Sequence, residues 1–302
     1  MPPGDPTTMI RRIALAVLAL SALACGKQTF LAAAFVQTPA LPNPIDASNG
    51  IPQFQVLTAY FGTIDTTDPT KIDPSKMAPI TDATATVAWH HVGAGGSDVS
   101  EDRILSVPVA TNPAGTYALS SRDEPRLTFE VGQPYTLVLL TAGTDGEAFG
   151  ARFVPTQPTD IAEFKNSTCT ITLPFGGSTT AKRCKDGTVS QPLTITRTDV
   201  APAGGSLPPA FALVGTIDPN NPTAAPKITY NPLDSADKLL KYVLSDIPYR
   251  TQTFLIPATA FPQQGYYIVT LLIVKQGKVS SNAFIGSTAL AASGAAGILR
   301  VQ

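Results

Sequence analysis

The stretch ATATVAWHHV, residues 83–92, alternates without a break, and that alternation constrains the fold more than any other feature of the chain. Ala85, Val87 and Trp89 fall on one side, Thr84, Thr86 and Ala88 on the other. A period of two suits a half-buried strand and no helix. RLTFEV (126–131) repeats the pattern with Leu127, Phe129 and Val131 inward. YTLVLL (135–140) and EAFGARFV (147–154) follow, separated by the turn-rich TAGTDG. Proline (28) and glycine (23) break the chain into short runs of this kind throughout. The pattern predicts an all-β protein of packed sheets. At 302 residues with 43% hydrophobic content, the chain can fill two cores at roughly 100–200 residues per domain.

The lone Trp89 on an early strand resembles the core tryptophan of immunoglobulin-like and fibronectin type III-like domains, although no Cys-Trp-Cys frame accompanies it. The resemblance implies two immunoglobulin-like β-sandwich domains, expected at 51–160 and 207–302.

The N-terminus carries an export pattern. Arg11 and Arg12 precede a twelve-residue apolar run, Ile13–Ala24, too short to span a bilayer of about 30 Å as a helix. Met9 stands directly before it and is an alternative start to Met1. The run closes on Ala22-Leu23-Ala24-Cys25, which resembles the lipobox of bacterial lipoproteins, with Ala22 and Leu23 reversed in character. The resemblance implies a signal peptide at 1–24 and a lipid on Cys25. The same residues also read as an A-x-A site for ordinary signal peptidase. Gly26 is not the Asp that favours inner-membrane retention in enteric lipoproteins, which points to the outer membrane.

Three cysteines add to this reading. An odd thiol is a liability in an exported chain. A Cys169–Cys184 disulfide, leaving Cys25 to the lipid, uses all three. The bridge would close a loop worth about 3 kcal/mol in the chain-entropy model. Residues 25–50, rich in proline, read as a tether, with a strand over Phe30–Val36 as the alternative. Residues 161–206 read as a disulfide-stapled connection, with APAGGSLPPA (201–210) as linker. SADKLLKYVL (from Ser235) has helical spacing, and Ile298–Val301 reads as the last strand.

FGTIDTTDPTKI (61–72) echoes VGTIDPNNPTAAPKI (214–228), and VPVATNPAGTYAL (from Val107) echoes IPATAFPQQGYYIV (from Ile256), which suggests duplication. GQPYTLVLL (from Gly132) matches QGYYIVTLL nearly as well at another offset. The recurrent unit therefore also reads as a Gly-then-Tyr strand opening.

Signs of catalysis are sparse. His90 and His91 are the only histidines, and adjacent strand residues face opposite ways, so they cannot chelate one ion together. There is no G-x-S-x-G elbow and no phosphate or dinucleotide glycine fingerprint. Asp65, Asp68 and Asp73 could offer oxygen ligands to calcium but lack EF-hand spacing. A net charge of −1 gives no footprint for nucleic acid. The expectation is a non-enzymatic lipoprotein with no cofactor and no metal. It is held to the membrane through Cys25 and serves binding, adhesion or structure at the cell envelope, with an envelope or surface protein as partner. A carbohydrate- or small-ligand-binding module is the alternative, with Tyr60, Phe61, Tyr249, Tyr266 and Tyr267 as candidate contacts.

Overall fold

The structure, a computed structural model, describes residues 27–43, 50–65, 77–95, 98–111, 113–142, 146–172, 176–201, 203–221, 223–224, 226–232, 250–283 and 287–302. Cys25, Tyr249, Asp68, Asp73 and the helical pattern after Ser235 lie outside them. The described chain is all-β, with one four-residue helix, α1 (Ala162–Lys165).

Nine strands form the main sheet. Across it run β14 (Lys227–Tyr230), β13 (Ala210–Ile217), β16 (Gly265–Gln276), β18 (Thr288–Val301), β1 (Lys27–Thr38), β2 (Phe54–Asp65) and β3 (Met77–Pro79). β6 (Thr116–Ser120) also pairs with β2, and β11 (Cys184–Gly187) with β18. A five-stranded sheet orders β17 (Lys278–Val279), β8 (Ala148–Phe153), β7 (Tyr135–Leu140), β4 (Thr84–His91) and β5 (Glu101–Ser106). Two strand pairs complete the described residues' fold, β9 (Thr168–Thr172) with β10 (Ser178–Lys182) and β12 (Leu193–Thr196) with β15 (Thr253–Ile256).

Alternation on the central strands sorts the packing. Leu31, Ala33 and Phe35 of β1, Leu57, Ala59 and Phe61 of β2, and Ala289 and Ala291 of β18 meet Val87, Trp89, Leu137 and Phe149 of the five-stranded sheet in one core. Farther along the same face, Ala295, Leu299 and Val301 of β18 join Val214, Val269 and Leu271 under Ile195, Ile256 and Phe164. Two cores thus lie side by side on one face of one sheet, and β18 serves both. The expected division at 161–206 changes accordingly: Val279, Ala283, Ala289 and Ala291 belong with the first core although they follow most of the second. The spacing of strands in sequence cannot show that a late strand returns to an early sheet.

The tether reading is corrected too. Lys27–Thr38 is an interior strand, antiparallel to β2 along its whole length and parallel to β18 from Ala32 to Gln37. Its alternate residues Leu31, Ala33 and Phe35 are buried, so it reads in sequence like a uniformly apolar segment only because its other face is half covered. The stapled connection is likewise part of the body. β11 lies parallel to β18, and the Pro208 and Pro209 carbonyls accept from Arg197 Nη1 and Val274 N–H. RLTFEV is irregular rather than a strand; Leu127 is buried, and Val131 is exposed.

The Gly-then-Tyr openings share a structural role. Gly115 and Gly132 turn the chain at positive φ (76° and 83°), which a side chain would resist. Each delivers a buried tyrosine, Tyr117 or Tyr135, into the start of a strand. Tyr117 Oη donates to the Ile80 carbonyl (3.1 Å) and accepts from Ala83 N–H (3.0 Å). Tyr135 Oη donates to the Thr128 carbonyl (2.6 Å) and accepts from Glu130 N–H (2.8 Å). Tyr267 does the same with Gln263, more loosely on the accepting side (3.4 Å). The other echo falls on two hairpins, β2–β3 and β13–β14, at opposite ends of the main sheet, where Gly62 and Gly215 face the partner strand.

Candidate functional site: an apolar cleft on the outer face

The described residues cover only part of the face of the main sheet opposite the two cores. The β9–β10 pair packs Cys169, Ile171 and Ala181, with Cys184 of β11, over Ile268, Ala296 and Ile298. Cys169 and Cys184 form a disulfide (Cα–Cα 5.2 Å), as the cysteine count suggested. Beside this cover β18 presents Ala292, Gly294 and Ala296, and a methyl on Gly294 would meet Leu272 Cδ2 at 2.8 Å and Thr270 Cγ2 at 3.2 Å. Small residues there let neighbouring side chains lie across the strand and sink the surface into a cleft of about 230 Å³.

Val36, Leu213, Ile217, Ile268 and Leu272 make its floor. One wall is the chain around Ile51, Pro52 and Phe54, held by the reciprocal Leu41–Ile51 backbone pair (2.9 and 2.7 Å). The opposite wall is the β13–β14 loop with Ala224 and Pro226, continued by Ile228 of β14. That loop is strapped from two sides: Asn43 Nδ2 donates to the Pro219 carbonyl (2.8 Å) and Arg122 Nη2 to the Thr223 carbonyl (2.7 Å). The Arg122 guanidinium stands 5.6 Å from the centroid of the Phe54 ring. Phe54 and Ile228 are exposed at the rim (37% and 55%), large apolar side chains left in water at the mouth of an apolar space. Such a space accepts an apolar group and offers it nothing reactive.

The aromatic candidates divide. Phe61 lies in the first core against Phe149 (5.4 Å), and Tyr267 in the second, edge-on to Phe261 (5.4 Å). Tyr60, beside Phe30 (6.4 Å), and Tyr266 are half-buried on the outer face. Tyr60 is in register with Thr288 through Ala32, and Tyr266 with Arg300, so about 40 Å of strand separates them. They form no continuous strip. Nothing in sequence marked Arg122 or Leu213, because the cleft joins β1, β13 and β16 only through the sheet order.

A second cluster closes one end of the five-stranded sheet. His90 faces solvent and contacts Asp102 Oδ1 (2.8 Å), while His91 lies buried on the Trp89 side, as alternation predicts. His91 Nδ1 meets Glu130 Oε1 at 2.5 Å and Nε2 meets Asp98 Oδ1 at 3.0 Å. Both carboxylates hold the imidazole in its charged form and raise its pKa. Burial alone would raise Glu130; hydrogen bonds from His91, Val92 N–H, Thr128 and Trp89 bring it below its ordinary value. Asp98 is lowered, chiefly by His91 and then by Ala94 N–H. Both ring nitrogens are engaged by carboxylates within the protein. The cluster is a buttress.

Among the described residues no group of three His, Cys, Asp or Glu side chains is placed to hold a metal, and no helix is long and apolar enough to cross a membrane. Neither a protein-family model nor a curated protein sequence matches the chain.

Proposed function

We propose that this protein is exported, anchored at the cell envelope by a lipid on Cys25, most simply at the outer membrane, and works by binding rather than catalysis through the apolar cleft. The cleft carries the reading: an apolar space with apolar side chains at its open mouth and a strapped loop for a wall. It favours a small ligand over an extended carbohydrate, which would ask for an aromatic strip and many polar contacts. The disulfide supports export, since such bonds persist in oxidising compartments. Because β1 opens at Lys27, a lipid on Cys25 would keep the body within about 7 Å of chain from its anchor. An immunoglobulin-like origin for the first core is supported by Trp89 stacked on Tyr135 (5.3 Å) and by the tyrosine at the opening of β7 bonded back to the preceding loop.

Two measurements test the reading. Globomycin, which blocks lipoprotein signal peptidase, should arrest processing, and the mature N-terminus should carry the mass of an acylated Cys25; unchanged processing sinks the anchor. Titration with 4-phenylbutan-1-ol should show one saturable site, lost when Leu213→Trp fills the cleft. A site untouched by that substitution places binding elsewhere. A protein partner is the second reading, favoured by the outer edge of β5, where Ile104 is 70% exposed at the end of its sheet.

A further inference from the structure

We propose that the cleft takes a hydrophobic monocarboxylate, an apolar body in the space and a single carboxylate on Arg122; this rests on the cleft being the binding site. Arg122 is the one charged side chain among the described residues that line it. Neither flanking acid is paired with it. Asp123 Oδ2 accepts from Ser120 Oγ (2.5 Å), and Glu124 is held by Arg126 (2.8 and 3.0 Å). Among the described residues no carboxylate forms an ion pair with Arg122, so a cation stands at the mouth of an apolar space without a counter-charge.

Its geometry suits an anion. Nη2 is committed to the Thr223 carbonyl, and the ring of Phe54 lies beneath the guanidinium. Nε–H, the Nη1 hydrogens and the second Nη2 hydrogen donate to nothing among the described residues, and that Nη2 hydrogen, with Nε–H or an Nη1 hydrogen beside it, makes the fork that fits a carboxylate with two parallel hydrogen bonds. Anchoring by Thr223 and Phe54 fixes the head before the ligand arrives, which lowers the ordering cost of binding. One cation answers one negative charge. A dianionic phosphate would meet too little charge, and an ammonium would be repelled.

Size limits the body. About 230 Å³ exceeds the roughly 150 Å³ of a cavity that holds benzene and falls short of the roughly 300 Å³ where drug-sized sites begin. A single ring with a short chain, or a short alkyl chain, fits. Apart from Arg122, the only polar side chains among the described residues lining the cleft are Thr38 and Thr270, so the body is hydrocarbon.

The test uses the full-length protein and three ligands with one body and different heads: 4-phenylbutyrate, 4-phenylbutan-1-ol and 4-phenylbutylamine, titrated calorimetrically at constant ionic strength. The acid should bind about 10-fold or more tighter than the alcohol, the gain of a charge-assisted pair, and the amine weakest. Arg122→Gln also removes the strap to Thr223 and so can weaken acid and alcohol alike; the decisive readout is their ratio, which should fall to about one in that variant. Arg122→Lys, which keeps the charge and loses the fork, should fall between. Equal binding of acid and alcohol to the unsubstituted protein, or an acid preference that survives Arg122→Gln, overturns the carboxylate assignment while leaving the cleft as a site. Absence of binding by all three overturns both. Circular dichroism of the Arg122 variants checks that the body folds without the Thr223 strap; should Leu213→Trp fail to fold, Ile228→Trp at the exposed rim blocks the same space.

Discussion

Ala291 and Leu299 point to the same side of β18, eight residues apart, yet Ala291 packs into the core beneath the five-stranded sheet and Leu299 into the core beneath β12 and β15. One strand is therefore structural to both. We expect the chain to unfold in a single transition, with Trp89 fluorescence, which reports the first core, and far-UV circular dichroism, which reports both, coinciding in urea. A fragment covering 207–302 lacks β1, the parallel partner of Ala32–Gln37 against 288–293, and should remain unfolded by circular dichroism. Two separated transitions, or a folded fragment, would show the cores to be independent.

Tyr135→Phe removes one oxygen and strands two backbone groups, the Thr128 carbonyl and the Glu130 N–H, beside a fully buried ring. The expected loss is about 1–3 kcal/mol in urea unfolding. The same change at Tyr267 should cost less, because its accepted bond is 3.4 Å long. Burial also pushes the Tyr135 phenol above its ordinary pKa, so it should stay un-ionised in alkaline difference spectra after exposed tyrosines have titrated.

Arg197 is wholly buried and grips Asp199 through Nε and Nη2, each at 2.6 Å. Asp199→Ala leaves that guanidinium without its counter-charge and should cost about 3–5 kcal/mol. Replacing both, Arg197→Met with Asp199→Leu, should cost clearly less than Asp199→Ala alone, because no charge then remains buried. Thermal denaturation of the three variants measures the difference.

The His91 cluster gives stability a direction in pH. The folded imidazole titrates above its ordinary 6.5, held by Glu130 and then Asp98 against burial and the more distant Arg103, which lower it. Its contribution is complete below about pH 6.5 and is lost as pH rises through the folded value. Glu130 and Asp98, lowered, contribute above the ordinary carboxylate range and lose that contribution on acidification. Stability from this cluster should peak in mildly acidic solution. His91→Gln should flatten the fall in Tm between pH 6 and 9, and an unchanged slope would place the titrating group elsewhere.

The strand pattern was legible from Thr84 to His91 because one face of β4 is buried and the other is not, the condition under which a period of two appears. Lys27–Thr38 escaped it. Gln28, Thr29 and Phe30 share the same partial burial, and Phe30 through Val36 offers one apolar residue after another, so alternation in the structure leaves no alternation in the letters. Leu127 is inward, as the pattern of RLTFEV predicts, but no strand forms there, because the Tyr135 hydroxyl takes the backbone of Thr128 and Glu130 that a ladder would need. The Glu130 partner of His91 stands 39 residues away and had no local signal.

Sequence by itself determined the class of this protein: alternating runs cut by proline and glycine, and a cysteine pair free to close on itself, follow from chemistry that acts between near neighbours. Only the tertiary structure decided that β18 joins two cores, that the supposed tether is an interior strand, and that Arg122 meets the loop at Thr223 across 101 residues to wall an apolar cleft. Those features depend on which strands pair across the sheet, a choice set by the burial of whole faces rather than by any single segment.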